Sequence, residues 1–189
     1  MKKVVTLICA LVIGTMSFAQ KNEIKAIEKA LKNNNFSEAK SNVQAAESLI
    51  ANMDDKTKDK FYYLKAESLY SGGQISDDNI DLALEAIDNL LALKSKTGKS
   101  KYDAQALEIK NNIYKSIVQS AFSASQNNKN EIAGDKFYKA YTISKKDTLY
   151  LYAAASSYLN AQQYDKSLKY YEQLQEMNYQ GSTVQFVAT

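Results

Sequence analysis

The side chains that this sequence offers for chemistry are carboxylates, lysines, hydroxyls and tyrosines, because it has no histidine and no arginine. Its single cysteine, Cys9, falls within a predicted leader. A His-dependent triad, a Cys nucleophile and a Cys/His zinc site are therefore excluded after residue 19. The nearest carboxylate pairs, Asp54-Asp55 and Asp77-Asp78, point to different sides of their own segments. We predict that the protein is not an enzyme and uses no cofactor or metal.

Two further stretches could bind ions, and each has a simpler structural explanation. Residues 76–81 are acidic, but an EF-hand loop counted from Asp77 needs Gly and Glu where the chain has Leu82 and Asp88. Acids directly after Ser76 are typical of a helix start. A lysine cluster is predicted to be a solvated loop, with contact to anionic lipid or polysaccharide as the weaker alternative. It consists of Lys94, Lys96, Lys99 and Lys101.

Tyrosine is abundant, with 14 copies in the chain. Tyr158, Tyr164 and Tyr171 fall on positions expected to pack between helices. The others near the C-terminus could form a sugar-stacking surface, although tryptophan, the stronger platform, is absent. Half-buried tyrosines on helix flanks are the structural alternative. These surplus residues are Tyr138, Tyr141, Tyr150, Tyr152, Tyr170 and Tyr179.

The first nineteen residues predict an export signal. Lys2 and Lys3 precede an apolar stretch at residues 4–14, and Ser17-Phe18-Ala19 is a small-x-small cleavage site. The apolar stretch is too short to span a bilayer. Cleavage at Cys9 as a lipoprotein would leave too little apolar core, so we reject it. We predict cleavage near Ala19 and a periplasmic or extracellular location.

The remaining 170 residues are long enough for one domain, predicted at residues 20–180. Without the two leader lysines they carry 22 lysines and 21 acids, interspersed along the chain. This near balance provides no basic footprint for nucleic acid, and the lack of arginine removes the bidentate fork that reads phosphates and guanine. The mature chain is also predicted to have no transmembrane segment.

The elements that position these residues are predicted to be helices, because the chain has no proline and only six glycines. Asparagine- and glycine-rich breaks separate them, such as Asn33-Asn34-Asn35 and Thr97-Gly98-Lys99. Eight helices are predicted at residues 21–33, 36–53, 56–71, 77–93, 100–127, 129–145, 148–161 and 164–177.

One apolar triplet recurs four times, each copy beginning with a small residue and stepping by four and then three. Its members share one helix face, and the small first residue allows a neighbouring helix to approach closely. Four helix pairs built in this way would stack into a solenoid that holds other molecules. The triplets are Ala39, Val43, Ala46; Ala83, Ile87, Leu90; Ala133, Phe137, Ala140; and Ser167, Tyr171, Leu174.

The spacing of the triplets is irregular, at 44, 50 and 34 residues. It predicts one insertion at residues 72–79 and another at residues 94–113, which adds the lysine-rich loop and extends the next helix. The tail at residues 181–189 is predicted to be irregular. Its strand-like alternation lacks a partner, and we expect the natural protein to continue beyond it.

The repeating units resemble the tetratricopeptide repeat family. The best match is Leu151-x2-Ala154-Ala155-x2-Tyr158 followed by Tyr164-x2-Ser167-x3-Tyr171-x2-Leu174. The resemblance covers about residues 21–178 and departs from the family in lacking tryptophan, terminal proline and regular spacing. It implies an all-α, right-handed α-solenoid of about four antiparallel helix pairs.

The resemblance also implies a protein or peptide partner, held on a concave face that the first helix of each pair lines. A carboxylate clamp, used by one subclass, does not fit, because Lys60 and Lys115 lack asparagine partners. The face is mostly aromatic and aliphatic, which suits an extended peptide or a partner helix. Packing between repeats is the alternative explanation, and a glycan or polymer bound by surface tyrosines is the alternative function. The predicted binding residues are Tyr63, Glu67, Tyr70, Val118, Phe122, Tyr152, Ser156 and Leu159.

Overall fold

A computed structural model describes residues 20–73, 75–144 and 147–179. The predicted signal peptide at residues 1–19 and the predicted tail at residues 181–189 lie outside these ranges. All regular structure within the ranges is helical, and no helix there is long and apolar enough to cross a bilayer. The helices are α1 at residues 20–32, α2 Phe36–Glu47, α3 Asp55–Tyr70, α4 Asp77–Thr97, α5 Asp103–Gln126, α6 Asn130–Ser144, α7 Thr148–Asn160 and α8 Tyr164–Glu176.

Helix α2 is the one element that departs clearly from its predicted span. It was expected to reach residue 53 but ends at Glu47, and the chain then tightens into a 3-10 turn, Ile50–Asn52. Met53 is extended and buried, with 4% of its surface exposed. If α2 continued as a helix to residue 53, the Met53 side chain would not reach the core before α3 begins. The other predicted ends lie within four residues of those observed.

The chain divides into two compact units. Unit 1 is Met1–Ile113 and unit 2 is Tyr114–Thr189, so the division falls within α5. In unit 1, α3 packs against both α2 and α4. One apolar cluster of the unit joins buried side chains of α1, α2 and α3 with Met53 of the segment between α2 and α3, and it comprises Ile24, Ile27, Val43, Ala46, Met53, Phe61 and Leu64.

Unit 2 is organised around α7, which packs against α6 and α8. Close approach is visible at Gly134 on α6, where an added Cβ would lie 3.0 Å from the Tyr158 ring. Ser167 on α8 makes a similar contact, because its hydroxyl donates to the Ala155 carbonyl of α7 at 2.9 Å. Helices this close exclude water and fix each other's side chains.

All twelve members of the four apolar triplets are buried, as the spacing predicted. Ala39, Ala83 and Ala133 have no exposed surface, and Ser167 is 2% exposed. Small residues therefore stand where helices meet, in both units. The larger members fill the adjoining space.

Three helix pairs are joined by the same turn. After α1, α5 and α7 one residue adopts a left-handed conformation, with φ of 55° at Asn34, 56° at Asn128 and 61° at Gln162. The following N–H donates at 2.9 Å to the carbonyl five residues earlier, which satisfies a carbonyl of the helix end. Asparagine tolerates this conformation better than most residues. The next helix starts two residues after each left-handed residue.

Two buried tyrosine hydroxyls of unit 2 contrast with each other. The Tyr158 hydroxyl donates to the Asp135 carboxylate. The Tyr171 hydroxyl has no partner at hydrogen-bond geometry among the described residues. Burial raises the pKa of Tyr171, and the nearby Ser156 side chain offsets part of this increase. An unpartnered buried hydroxyl is destabilising relative to a hydrogen-bonded one.

We expect Tyr171→Phe to leave the free energy of unfolding unchanged or to raise it, because no hydrogen bond is lost. Tyr158→Phe removes a bond to a charged acceptor and should lower the free energy of unfolding by about 1.5–3 kcal/mol. Urea unfolding of the two variants, which have the same change of atoms, measures the difference. Equal losses in both variants would show that Tyr171 has a partner.

Asp54 caps the N-terminus of α3. Its carboxylate accepts a hydrogen bond from the Thr57 N–H at 2.7 Å. Hydrogen bonds from the Thr57 side chain and backbone hold the pKa of Asp54 below its usual value of 3.8. A carboxyl whose pKa is lower in the folded state than in the unfolded state stabilises the fold when the pH is above the unfolded-state pKa. This stabilisation is lost as the pH falls through the folded-state pKa.

Asp54→Ala should therefore lower the free energy of unfolding by about 1 kcal/mol at neutral pH. The difference in the free energy of unfolding between Asp54→Ala and the wild type should become smaller as the pH falls below 3.8, because Asp54 then becomes protonated in the wild type. Urea unfolding across this pH range is the measurement. Asp54→Asn, which keeps an acceptor but does not titrate, is the control and should retain most of the stability throughout.

Candidate functional site

One groove in unit 1 brings together three of the residues predicted to bind a partner, Tyr63, Glu67 and Tyr70 of α3. It has a volume of about 300 Å³. The end of α1, the turn into α2 and the N-terminal half of α5 supply the other walls. We call it the α3 groove, and its lining is Leu31, Asn34, Phe36, Tyr63, Glu67, Tyr70, Gly72, Gln105, Glu108, Ile109 and Asn112.

The sequence of α3 gives this helix two distinct faces. Phe61 and Leu64 point into the core and are almost fully buried. Tyr63, Glu67 and Tyr70 step by four and then three on another face and are half-buried. The burial of the first face therefore fixes the direction of the second.

The Tyr63 ring is held in place by Tyr102. The two rings stack with their centroids 4.9 Å apart and their planes 5° from parallel. The segment that carries Tyr102 is itself fixed to α3, because the buried Asp59 carboxylate accepts hydrogen bonds from the Lys101 N–H, at 3.0 Å, and from the Ser100 hydroxyl. Tyr63 is thus ordered before any partner arrives.

The charged groups that line the α3 groove are both carboxylates. Glu67 belongs to α3 and Glu108 to α5, and no lysine is among the described residues that line the groove. Burial raises the pKa of Tyr63 well above its usual value, and the hydrogen bond to Glu67 and the nearby charge of Glu108 raise that pKa further. The tyrosine hydroxyl therefore stays protonated, as a donor beside two negative charges.

The aromatic ring of Phe36 closes one side of the groove against the backbone of Gly72. Gly72 has a φ of 65°, and a Cβ added there would lie 2.8 Å from the Phe36 Cζ atom. Only glycine combines this left-handed conformation with so close a neighbour. The turn Ser71–Gly73 has a positive φ at all three residues, 51° at Ser71, 65° at Gly72 and 104° at Gly73.

The remaining predicted binding residues belong to unit 2. Phe122 on α5 is 51% exposed and meets the Phe137 ring edge-on, with centroids 5.1 Å apart. Tyr152 on α7 is half-buried and packs against Tyr171 and Tyr179. The other three are half-buried as well, and they are Val118, Ser156 and Leu159.

Several residues of the α3 groove were missed by the sequence analysis. Those on α5, Gln105, Glu108 and Asn112, belong to the segment that was interpreted as an insertion. Their spacing of three and four along a predicted helix was the available signal. Phe36 and Gly72 meet only in the folded chain, 36 positions apart, and no local pattern indicates their contact.

The surplus tyrosines of unit 2 are packed against one another. Tyr138 stacks on Tyr170 with centroids 4.5 Å apart, and Tyr114 meets Tyr150 edge-on at 5.9 Å. Tyr158 and Tyr171 are buried as expected, but the prediction that Tyr164 packs between helices was wrong, because its side chain at the start of α8 is 62% exposed. Half-buried packing therefore accounts for the residues that suggested a sugar-stacking surface.

The lysine cluster is partly neutralised. Lys94 pairs with Asp103, and Lys96 lies 3.9 Å from Asp55. A wider groove of about 630 Å³ borders this loop, but it combines lysines with Asp55 and Asp59 and so has no single charge character. Among residues 20–73, 75–144 and 147–179, no cluster of three or more Asp, Glu, His or Cys could hold a metal ion.

The acidic run at residues 76–81 begins α4, as predicted. Ser76 occupies the N-cap position, and Asp77 and Asp78 lie in the first turn. Acids at this place are stabilised by the partial positive charge of the helix N-terminus. The run therefore has a structural explanation.

A scan against protein-family models and searches of curated proteins and of solved structures gave no match. The resemblance to tetratricopeptide repeats stays a prediction that rests on the residues quoted above.

An alanine in a left-handed conformation costs roughly 1–2 kcal/mol. We expect Gly72→Ala to lower the free energy of unfolding by more than this amount, because the new methyl group also meets the Phe36 ring. In a Phe36→Ala background the same substitution should cost less. Urea unfolding of the two single variants and the double variant measures this coupling. Equal costs in both backgrounds would contradict the contact between Phe36 and Gly72.

Proposed function

We propose that this chain binds a segment of a partner protein or peptide in the α3 groove. The observation that carries the proposal is the convergence of Tyr63, Glu67 and Tyr70 with side chains of α1, α2 and α5 around one open groove. A volume of about 300 Å³ suits a few side chains of an extended segment and is too small for a folded domain.

The chemistry of the lining suits a peptide. Tyr63 and Tyr70 combine an apolar ring with a hydroxyl, a combination that is enriched at interfaces. The amides of Asn34, Gln105 and Asn112 can each donate to a main-chain carbonyl and accept from a main-chain N–H. Apolar contact and main-chain hydrogen bonds are what an extended segment requires.

Preorganisation favours binding here. Tyr63 is already stacked on Tyr102, so a partner need not order it. Ordering a mobile side chain on binding costs about 0.5–1.5 kcal/mol, and a fixed ring avoids that loss.

We further propose a tetratricopeptide-like repeat domain at residues 20–180, a right-handed α-solenoid of about four antiparallel helix pairs. Two findings support it, namely the buried triplets and the turn shared by Asn34, Asn128 and Gln162. The proposal includes export with cleavage near Ala19, to the periplasm or the cell exterior, which rests on the sequence of residues 1–19.

The partner we propose is neither a nucleic acid nor an enzyme substrate. Glu67 and Glu108 would repel phosphates, and the chain has no arginine or histidine. A glycan or polymer ligand is the alternative, but the surplus tyrosines that suggested it stack on one another. The peptide proposal therefore has the stronger support.

Selection from a displayed library of random peptides on the purified protein tests the proposal. Binders should emerge, and Tyr63→Ala and Tyr70→Ala should each weaken them about tenfold or more, since aromatic anchors dominate such interfaces. Affinity by fluorescence anisotropy and melting by circular dichroism are the measurements.

Tyr164→Ala is the matched control, because it removes an exposed tyrosine of unit 2 and should leave affinity unchanged. Phe122→Ala reports separately on the predicted residues of unit 2. Failure to obtain any binder, or binders insensitive to both groove substitutions, would overturn the assignment to the α3 groove.

A further inference from the structure

Some acids of unit 1 are neutralised by a lysine, whereas the two carboxylates of the α3 groove are not. Glu28, Glu47 and Asp88 each form an ion pair with a lysine, with N–O distances of 2.6–2.8 Å. Within the described residues, neither Glu67 nor Glu108 has a lysine at ion-pair distance. In a chain with nearly equal numbers of lysines and acids, two acids in one groove without a cation form a local negative charge.

Glu67 and Glu108 approach the groove from different helices. Glu67 lies on α3 and Glu108 on α5, and both line the groove together with Tyr63. A cation in this groove would be attracted by both carboxylates. Glu67 is half-buried and Glu108 is exposed, so the cation would keep part of its hydration shell while it gains charged acceptors from two helices.

The rest of the groove suits the stem of a cationic side chain. Leu31, Ile109 and the rings of Tyr63 and Tyr70 provide apolar surface around the carboxylates. Lysine and arginine bury an aliphatic stem along such surface and keep the charged head beside polar groups. An aromatic rim also attracts the cation directly.

We propose that the α3 groove selects a partner segment with a lysine or arginine side chain, whose cationic head is held between Glu67 and Glu108. This inference rests on the proposed function, because it specifies the chemistry of a segment bound in the same groove. Charge complementarity identifies the occupant, and an acidic or phosphorylated segment would be repelled.

The test begins with the same displayed library of random peptides and asks what the selected sequences share. They should be enriched in lysine or arginine at one position. A selected peptide is then compared with two analogues, one with norleucine and one with glutamate at that position. Norleucine keeps the apolar stem and removes the charge, so it should bind about tenfold more weakly, and the glutamate analogue more weakly still.

Three protein variants assign the effect to the carboxylates. Glu67→Gln and Glu108→Gln should each weaken the cationic peptide about tenfold and leave the norleucine analogue unchanged. Glu67→Gln removes the charge with almost no change in side-chain size, so the groove keeps its shape. Glu85→Gln, an exposed glutamate of α4 outside the groove, is the matched control and should have no effect.

The outcomes separate the two proposals. Binders that depend on Tyr63 and Tyr70 but show no cationic enrichment, or that are indifferent to both glutamine variants, overturn this inference and leave the peptide groove intact. A library that yields no binder overturns the proposed function and this inference with it. Enrichment of acidic segments would overturn the inference directly.

Discussion

Each helix contact at the start of a triplet depends on a side chain small enough to let two backbones approach. Ala39, Ala83 and Ala133 are completely buried at such places. Ser167 demonstrates how close the approach is, because its short side chain reaches the main-chain carbonyl of Ala155 on the neighbouring helix. A larger residue would separate the helices and open a cavity beside the larger members of the triplet, with a loss of packing energy that the surroundings recover only in part.

This close packing determines what the exposed faces can do. In unit 1, Phe61 and Leu64 lock α3 into the core, so its other face has no freedom to rotate. The half-buried residues on that face therefore form a fixed surface. A surface held by packing beneath it can bind a partner without first being ordered, which is the physical advantage of a helical scaffold over a mobile loop.

Local chemistry explains why most of the fold could be predicted from the sequence. Asparagine at positions 34 and 128 and Gly98 mark helix ends because each accepts a left-handed backbone, and the structure has a positive φ at all three. The early end of α2 could not be predicted, since Ser48 and Leu49 give no stop signal. The turn that follows accompanies the burial of Met53, which is a tertiary contact and has no local pattern. Likewise, the bond from Ser100 to Asp59 joins residues 41 positions apart, beyond the reach of any helical period.

The insertions that disturb the repeat spacing are also what complete the α3 groove. Every groove residue contributed by α5 lies between positions 105 and 112, within the segment at residues 94–113 that lengthens the second interval between triplets. The same segment brings Tyr102 onto Tyr63, and Gly72 comes from the other insertion. A regular repeat would lack Glu108 and the stacked ring. Glu108 and Tyr102 are therefore residues that a comparison with regular repeats discounts, which is why most of the groove lining was missed.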